Sequence, residues 1–257
     1  MRAQQWRLDA VANNLANVNT DSYKREVASF KSFPEMLLRR MDDDGVYLHP
    51  FGSADAAPIM GTLGTGVELN ELFTVFTQGS PKESSSDFDF MLEGQGFFAV
   101  ATPHGERYTR NGAFILGIEG LLLTQEGFPV LGENGAIRLD SNATFKVDPE
   151  GRIWQNTPED SILIDTFKIV EFHLDRFLEK QGGNLYRESY TSGPAMVMDD
   201  ERRPKVLQGF LEAANVDPVL EMVQMIEINR AYEANQKVIQ AGEQTLGALI
   251  NQVAKFG

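Results

Sequence analysis

The C-terminal segment constrains this chain most. Asp217-Pro218 supplies an N-cap side chain followed by a proline at the first helical position, where the missing N–H costs nothing. Glu221 follows in the first turn, where the helix dipole favours a carboxylate. Helical pattern then runs to Val253, roughly 36 residues or ~54 Å at 1.5 Å per residue. Few small domains are that wide, so the helix needs a helical partner along its length. Its seam reads Met222, Met225, Asn229, Tyr232, Gln236, Ile239, Glu243, Leu246, Ile250 and Val253, with spacings alternating between 3 and 4. One set of seam positions is apolar throughout, whereas Asn229, Gln236 and Glu243 interrupt the other. Polar seam residues lower stability and fix register and partner number. One helix face packed on its own domain is the simpler reading, and the length favours a coiled coil.

The N-terminal end reads as helix too. Leu8, Val11, Leu15 and Val18 recur at spacings of 3, 4 and 3, a coiled-coil-like stripe. Asn19-Thr20-Asp21-Ser22 is turn chemistry and predicts the helix end. Asn13, Asn14, Asn17 and Asn19 place four asparagines within eight residues. Asparagine is a mediocre helix former, so local propensity did not select them. A carboxamide both donates and accepts, which suits register-setting contacts between helices. On that reading Asn14→Leu disturbs assembly more than folding of the centre. Capping at a helix end is the plainer account and covers Asn17 and Asn19.

Between the ends, strand patterns take over. Phe88-Asp89-Phe90-Met91-Leu92, Phe97-Phe98-Ala99-Val100, Ala113-Phe114-Ile115-Leu116 and Ile162-Leu163-Ile164 are strand candidates. Glu119-Gly120, Glu126-Gly127, Asn134-Gly135 and Glu150-Gly151 punctuate them as turns, with Asn134-Gly135 the clearest hairpin signal. The expected fold is mainly β with α-helical termini: an antiparallel β domain carried on an N- and C-terminal coiled-coil region. Residues 1–30 with 205–257 form the helical part, 31–66 an irregular linker and 67–204 the β domain.

Several chemistries are excluded. The chain has 257 residues, no cysteine and a net charge of −14. Disulfide scaffolds, zinc ribbons and thiol catalysis are out. A pI of about 4.7 argues against nucleic acid as a partner. No apolar run is long enough to insert in a membrane, and residues 1–5 carry no signal-peptide pattern. Gly94-Gln95-Gly96-Phe97-Phe98-Ala99 matches a dinucleotide fingerprint in letters, but strand pattern follows where a phosphate-binding helix is required. Asp42-Asp43-Asp44-Gly45 starts like a calcium loop, yet the twelfth position is Ser53 rather than Glu, so a solvated acidic loop is expected. His49, His104 and His173 lack metal-ligand spacing. No catalytic, cofactor-binding or metal residues are assigned.

Three blocks carry a resemblance. The run from Leu8-Asp9-Ala10 through Asn13-Asn14-Leu15-Ala16-Asn17-Val18 to Tyr23-Lys24 resembles the N-terminal signature of the bacterial flagellar rod and hook proteins. Leu92-Glu93-Gly94-Gln95-Gly96-Phe97-Phe98 and Tyr108-Thr109-Arg110-Asn111-Gly112 are similar to their centre. Gln208-Gly209-Phe210-Leu211-Glu212-Ala213-Ala214-Asn215-Val216-Asp217, then Arg230-Ala231-Tyr232-Glu233-Ala234-Asn235, looks like their C-terminal signature. The resemblance implies a structural, non-enzymatic subunit of the basal-body rod without cofactors. Its terminal helices would pack into the inner layer of a helical tube, with the β domain outside. The implied partners are itself, other rod and hook proteins, the flagellar type III export apparatus, which uses no cleaved signal, and peptidoglycan-layer ring proteins.

The implied assembly residues are Leu8, Val11, Asn13, Asn14, Leu15, Asn17 and Val18 at one end. At the other they are Glu212, Asn215, Met225, Ile226, Arg230, Tyr232, Asn235, Ile239 and Leu246. Residues 128–137 are similar to the proximal-rod branch, Gly183-Asn184-Leu185-Tyr186 to the distal one, and the balance leans to the proximal rod. A distal-rod or hook-type protein is the alternative within the family, and a secreted cell-wall glycan hydrolase the alternative outside it. Family members usually begin with a further helical turn, so Met1 is expected to be an interior methionine of a longer helix.

Overall fold

The computed structural model describes residues 2–39, 46–49, 52–55, 59–140, 144–156, 161–199 and 202–253. The acidic run at 42–45 lies outside them. The fold is mainly β with a helix at each end, α1 (Arg2–Ala16) and α2 (Pro218–Val253). The chain divides into two compact units, one of Ala10–Val27 and Phe73–Ile226, the other of Met1–Asp9, Ala28–Leu72 and Glu227–Gly257.

The larger unit is built on a six-stranded antiparallel sheet. Its order is Glu179–Gly182, Leu185–Arg187, Gly105–Thr109, Phe97–Thr102, Ile169–Glu171, Met196–Val197. The Phe97–Thr102 strand lies inside the sheet and is buried on both faces, which explains its unbroken apolar run. Side chains alternate along a strand, so Phe98 and Val100 enter one cluster with Phe90, Phe114 and Phe167. Phe97 and Ala99 enter a second cluster with Tyr108, Phe172 and Tyr186. Edge-to-face ring contacts, such as Phe98 to Phe114 at 5.4 Å and Phe76 to Phe97 at 5.1 Å, add specificity to this burial.

The strand at Ile162-Leu163-Ile164 belongs to Ser161–Thr166, the edge of a three-stranded sheet with Arg152–Asn156 and Thr144–Val147. The hairpin expected at Asn134-Gly135 is present, with Gly132 opposite Gly135. Asn134 steadies it by donating from its carboxamide to Asp165 at 3.0 Å.

In the smaller unit, the stretch read as an irregular linker contains antiparallel pairs. Met36–Arg39 pairs with Ile59–Leu63, and Val46–His49 with Gly52–Asp55. Met36-Leu37-Leu38 is too short for a clear period, so the ladder was hidden among the glycines around it. The strand Glu26–Ser32 pairs with Val67–Thr74. α2 begins where its cap predicts: the N–H groups of Val219 and Leu220 donate to Asp217 Oδ1 at 2.9 and 3.3 Å. α1 ends at Ala16, so Val18 falls in the following turn and does not extend the helical stripe. Asn17 ends the helix by folding back, its Nδ2 donating to the Asn13 carbonyl at 2.9 Å and to Asn13 Oδ1 at 2.7 Å.

Candidate functional site

The chain leaves α1 through a turn in which Ser22 has a φ of 58°, the left-handed region. The Ser22 N–H donates to the Glu212 carbonyl at 2.6 Å, fixing that turn against the C-terminal segment. Three segments then lie side by side. The Arg25 N–H donates to Asn215 Oδ1 at 2.8 Å, and Asn215 Nδ2 donates to the Val75 carbonyl at 2.7 Å. The Val75 N–H donates back to the Arg25 carbonyl at 2.9 Å, and the Asn215 N–H to the Tyr23 carbonyl at 3.3 Å. Asn215 therefore stitches the outgoing chain to both the incoming chain and residues 75–77. Approach here is close: a Cβ on Gly79 would lie 1.9 Å from the Ala213 carbonyl oxygen, so only glycine fits.

Beneath this seam is a buried ionic triad. The side chains of Lys24, Glu212 and Arg110 are 0%, 1% and 4% exposed. Lys24 Nζ donates to Glu212 Oε1 at 2.5 Å and to the Thr77 carbonyl at 2.8 Å. The Gly79 N–H donates to the same Glu212 oxygen at 2.7 Å. Arg110 Nε lies 3.4 Å from Glu212 Oε2, an ion-pair contact rather than an aligned hydrogen bond. The rest of the Arg110 fork donates to the carbonyls of Gly96 and Gly94 at 2.6 and 2.7 Å. Those glycines have φ of 131° and 127° and turn the chain between strands, presenting their carbonyls to arginine instead of their N–H groups to a phosphate. Burial pulls the Lys24 ammonium below its usual range against the upward pull of Glu212. Burial likewise lowers Arg110.

Asn14 is buried, and its carboxamide imitates a paired strand residue. Its Nδ2 donates to the Glu26 carbonyl at 3.0 Å and its Oδ1 accepts the Glu26 N–H at 2.9 Å. The Tyr23 hydroxyl reaches Asn14 Oδ1 and Asn13 Oδ1, each at 3.2 Å. Burial, with Glu26 and Glu221 nearby, pushes the Tyr23 phenol up. Lys180 covers the Tyr23 ring at 4.3 Å while pairing with Glu26 at 2.8 Å. The network combines neutral amides and backbone carbonyls with the charged groups of Lys24, Glu212, Arg110, Lys180 and Glu26. Among the described residues no cluster of His, Asp or Glu could hold a metal ion.

The expected assembly residues separate into two groups. Asn14, Glu212 and Asn215 lie in this junction; Val11 is buried, Leu15 and Val18 are half-buried, and Asn13 and Asn17 border it. Leu8, at the other end of the α1 stripe, is half-buried. On α2, Met225 and Tyr232 are half-buried, whereas Ile226, Arg230 and Asn235 are exposed. Beyond Tyr232 the helix exposes its apolar side chains: Val238 is 72%, Ile239 48%, Leu246 60% and Ile250 67% accessible. Sequence reasoning missed Lys24 and Arg110 as members of the junction. Both stood inside the quoted motif blocks, the one signal that marked them.

Three families match along the chain. Residues 1–24 match one described as flagella basal body rod protein, 91–155 the flagellar hook protein FlgE/F/G D1 domain, and 207–252 the flagellar basal body rod FlgEFG protein C-terminal region. Each matched stretch supplies part of the junction: Asn14, Tyr23 and Lys24; then Gly94, Gly96 and Arg110; then Glu212 and Asn215. The flagellar basal-body rod protein FlgF of Caulobacter vibrioides is 33% identical, over 97% of this chain and 92% of that protein. The rod protein FlgG of Bacillus subtilis is 31% identical, over 98% and 95%. FlgG of Buchnera aphidicola subsp. Acyrthosiphon pisum is 34% identical, over 96% and 94%.

Proposed function

Because the chain belongs to the family of flagellar basal-body rod proteins, we propose that it polymerises with itself and with other axial proteins through the exposed length of α2 and the stripe of α1. It is a structural subunit of the flagellar basal body, not an enzyme. The relatives are rod proteins by name, which leaves the glycan-hydrolase alternative without support.

One observation carries the proposal: the seam residues Ile239, Leu246 and Ile250 stay in solvent, although the helix runs on to Val253. A helix stripped of packing is held only by weak local propensity, so this length is completed by other chains. We place Met225, Ile226, Arg230, Tyr232, Asn235, Ile239 and Leu246 in a coiled-coil inner layer with Leu8, Asn13 and Leu15 of α1, and Asn17 and Val18 in the turn that leads out of it. Residues 1–30 and 205–257 then form the axial region, 31–66 the connecting segment and 67–204 the outer β domain. Asn14, Glu212 and Asn215 serve assembly from within, by fixing where the helices leave the body. Export unfolded without a cleaved signal, and contact with peptidoglycan-layer ring proteins, complete the reading. Identity to FlgF and FlgG relatives is similar, so a proximal position rests on residues 128–137.

The test is Ile239→Asp with Leu246→Asp in the full chain, expressed in a strain lacking the native protein. The expected result is a folded protein with unchanged melting temperature that restores no motility. Full motility would refute the proposal.

A further inference from the structure

We infer that the Lys24–Glu212–Arg110 triad is a latch: Glu212 keeps residues 14–26 docked on the body, and loss of its charge releases that segment without opening the sheet beneath. The inference rests on geometry alone and stands apart from the rod reading.

Four observations lead to it. First, the segment is held by polar contacts more than by apolar burial. Its buried residues are Asn14, Ser22, Tyr23 and Lys24, and no aliphatic side chain among 14–26 is buried. Polar docking depends on matched partners, whereas apolar docking tolerates many surfaces. Second, four consecutive residues of the segment share one short stretch of partners, while Asp21, Arg25 and Glu26 are also held by Asn184, Lys82, Val75 and Lys180. Ser22 and Lys24 bond to Glu212, and Tyr23 and Arg25 to Asn215.

Third, the triad is unequal. Arg110 and Glu212 belong to the body and neutralise each other, with the Gly94 and Gly96 carbonyls completing the arginine's shell. Lys24 arrives as a second cation and leaves the docked site with one excess positive charge, tempered by the Thr77 carbonyl. Fourth, the two cations differ in freedom to escape. Arg110 follows the Gly105–Thr109 strand and is tied by its fork to two backbone carbonyls. Lys24 lies between a turn and the strand that begins at Glu26, so it can regain water by peeling outward. Removing the carboxylate leaves two buried cations without their counter-charge, which is strongly destabilising. The cation that can leave is Lys24, and it takes the segment with it. The device ties the C-terminal end of α1 to a strand, Phe210–Glu212, whose Glu212 stands 188 positions beyond Lys24 in the chain.

Hydrogen exchange read by mass spectrometry on the full chain tests this. The reporters are the amides of Ser22, Arg25 and Glu26, which donate to Glu212, Asn215 and Asn14. The controls are the paired strands Phe97–Thr102 and Gly105–Thr109. In Glu212→Gln, exchange at the reporters should rise by more than about tenfold while the controls keep their protection. Adding Lys24→Met should recover part of the loss, because the stranded ammonium is gone. Unchanged reporters, or an equal rise in reporters and controls, would overturn the latch. If Glu212→Gln does not fold, Lys24→Met decides, because it cuts the segment's tie to the carboxylate and leaves the Glu212–Arg110 pair in place. Selective opening at the Ser22, Arg25 and Glu26 amides then supports the latch, and no opening or uniform opening overturns it.

Discussion

The junction at residues 22–25 and 212–215 and the distal part of α2 invert the usual rule of burial. The junction hides a lysine, an arginine and a glutamate, while the helix shows Val238, Leu246 and Ile250 to water. Charged groups enter a protein interior at a cost that only matched partners offset, and what they contribute is specificity rather than net stability. Apolar side chains clustered in solvent on one helix mark surface suited to a partner. On the proposed function, the difference separates what this molecule completes alone from what it leaves to its neighbours.

Three measurements could break or sharpen that contrast. The largest effect belongs to Asn14→Leu, which strands the N–H and carbonyl of Glu26 and removes an acceptor from Tyr23. Urea unfolding should show a loss of about 1–3 kcal/mol. A change confined to assembly, with stability intact, would return Asn14 to the helix-to-helix role that its sequence context invites.

An intermediate effect concerns alkaline pH. Burial raises the Tyr108 phenol to about 12 from an ordinary 10.0, with Glu106 and Glu188 adding to the rise. A raised folded-state value means that stability is complete below the unfolded value and is lost as pH climbs from 10 toward 12. Lys24 pulls the opposite way, but equally in any variant that retains it. Melting temperature should therefore fall more steeply above about pH 10 in the native chain than in Tyr108→Phe. Parallel curves would remove Tyr108 from the account.

The smallest effect is expected at Leu246→Ala. The side chain is 60% exposed, so isolated-subunit stability should move by less than about 0.5 kcal/mol in calorimetry. A larger loss would mean that the distal helix already packs within a single chain.

Much of this architecture was legible in the sequence. Asp217-Pro218 marked the start of α2 because capping is local chemistry. Phe97-Phe98-Ala99-Val100 marked a buried strand, and the Gly-containing turns fell where expected. Local pattern failed where partners are remote. Lys24 and Glu212 are separated by 188 positions, and neither lysine after tyrosine nor glutamate after leucine announces a buried pair. Asn14 was singled out correctly as an unusual helix residue, yet its partner is the backbone of Glu26, which carries no sequence signal at all. The ladder within 31–66 was missed because glycine and acidic runs masked short apolar pairs.

The direct stitching of residues 22–25 to 212–215 also has a mechanical meaning. Between those two stretches lies most of the chain, closed into a loop whose ends are clasped together. Along the chain, a pull applied through residues 16 and 217 reaches the clasp before it reaches the strands enclosed between the two stretches, so the Asn215 and Glu212 contacts must yield before that loop can be drawn open.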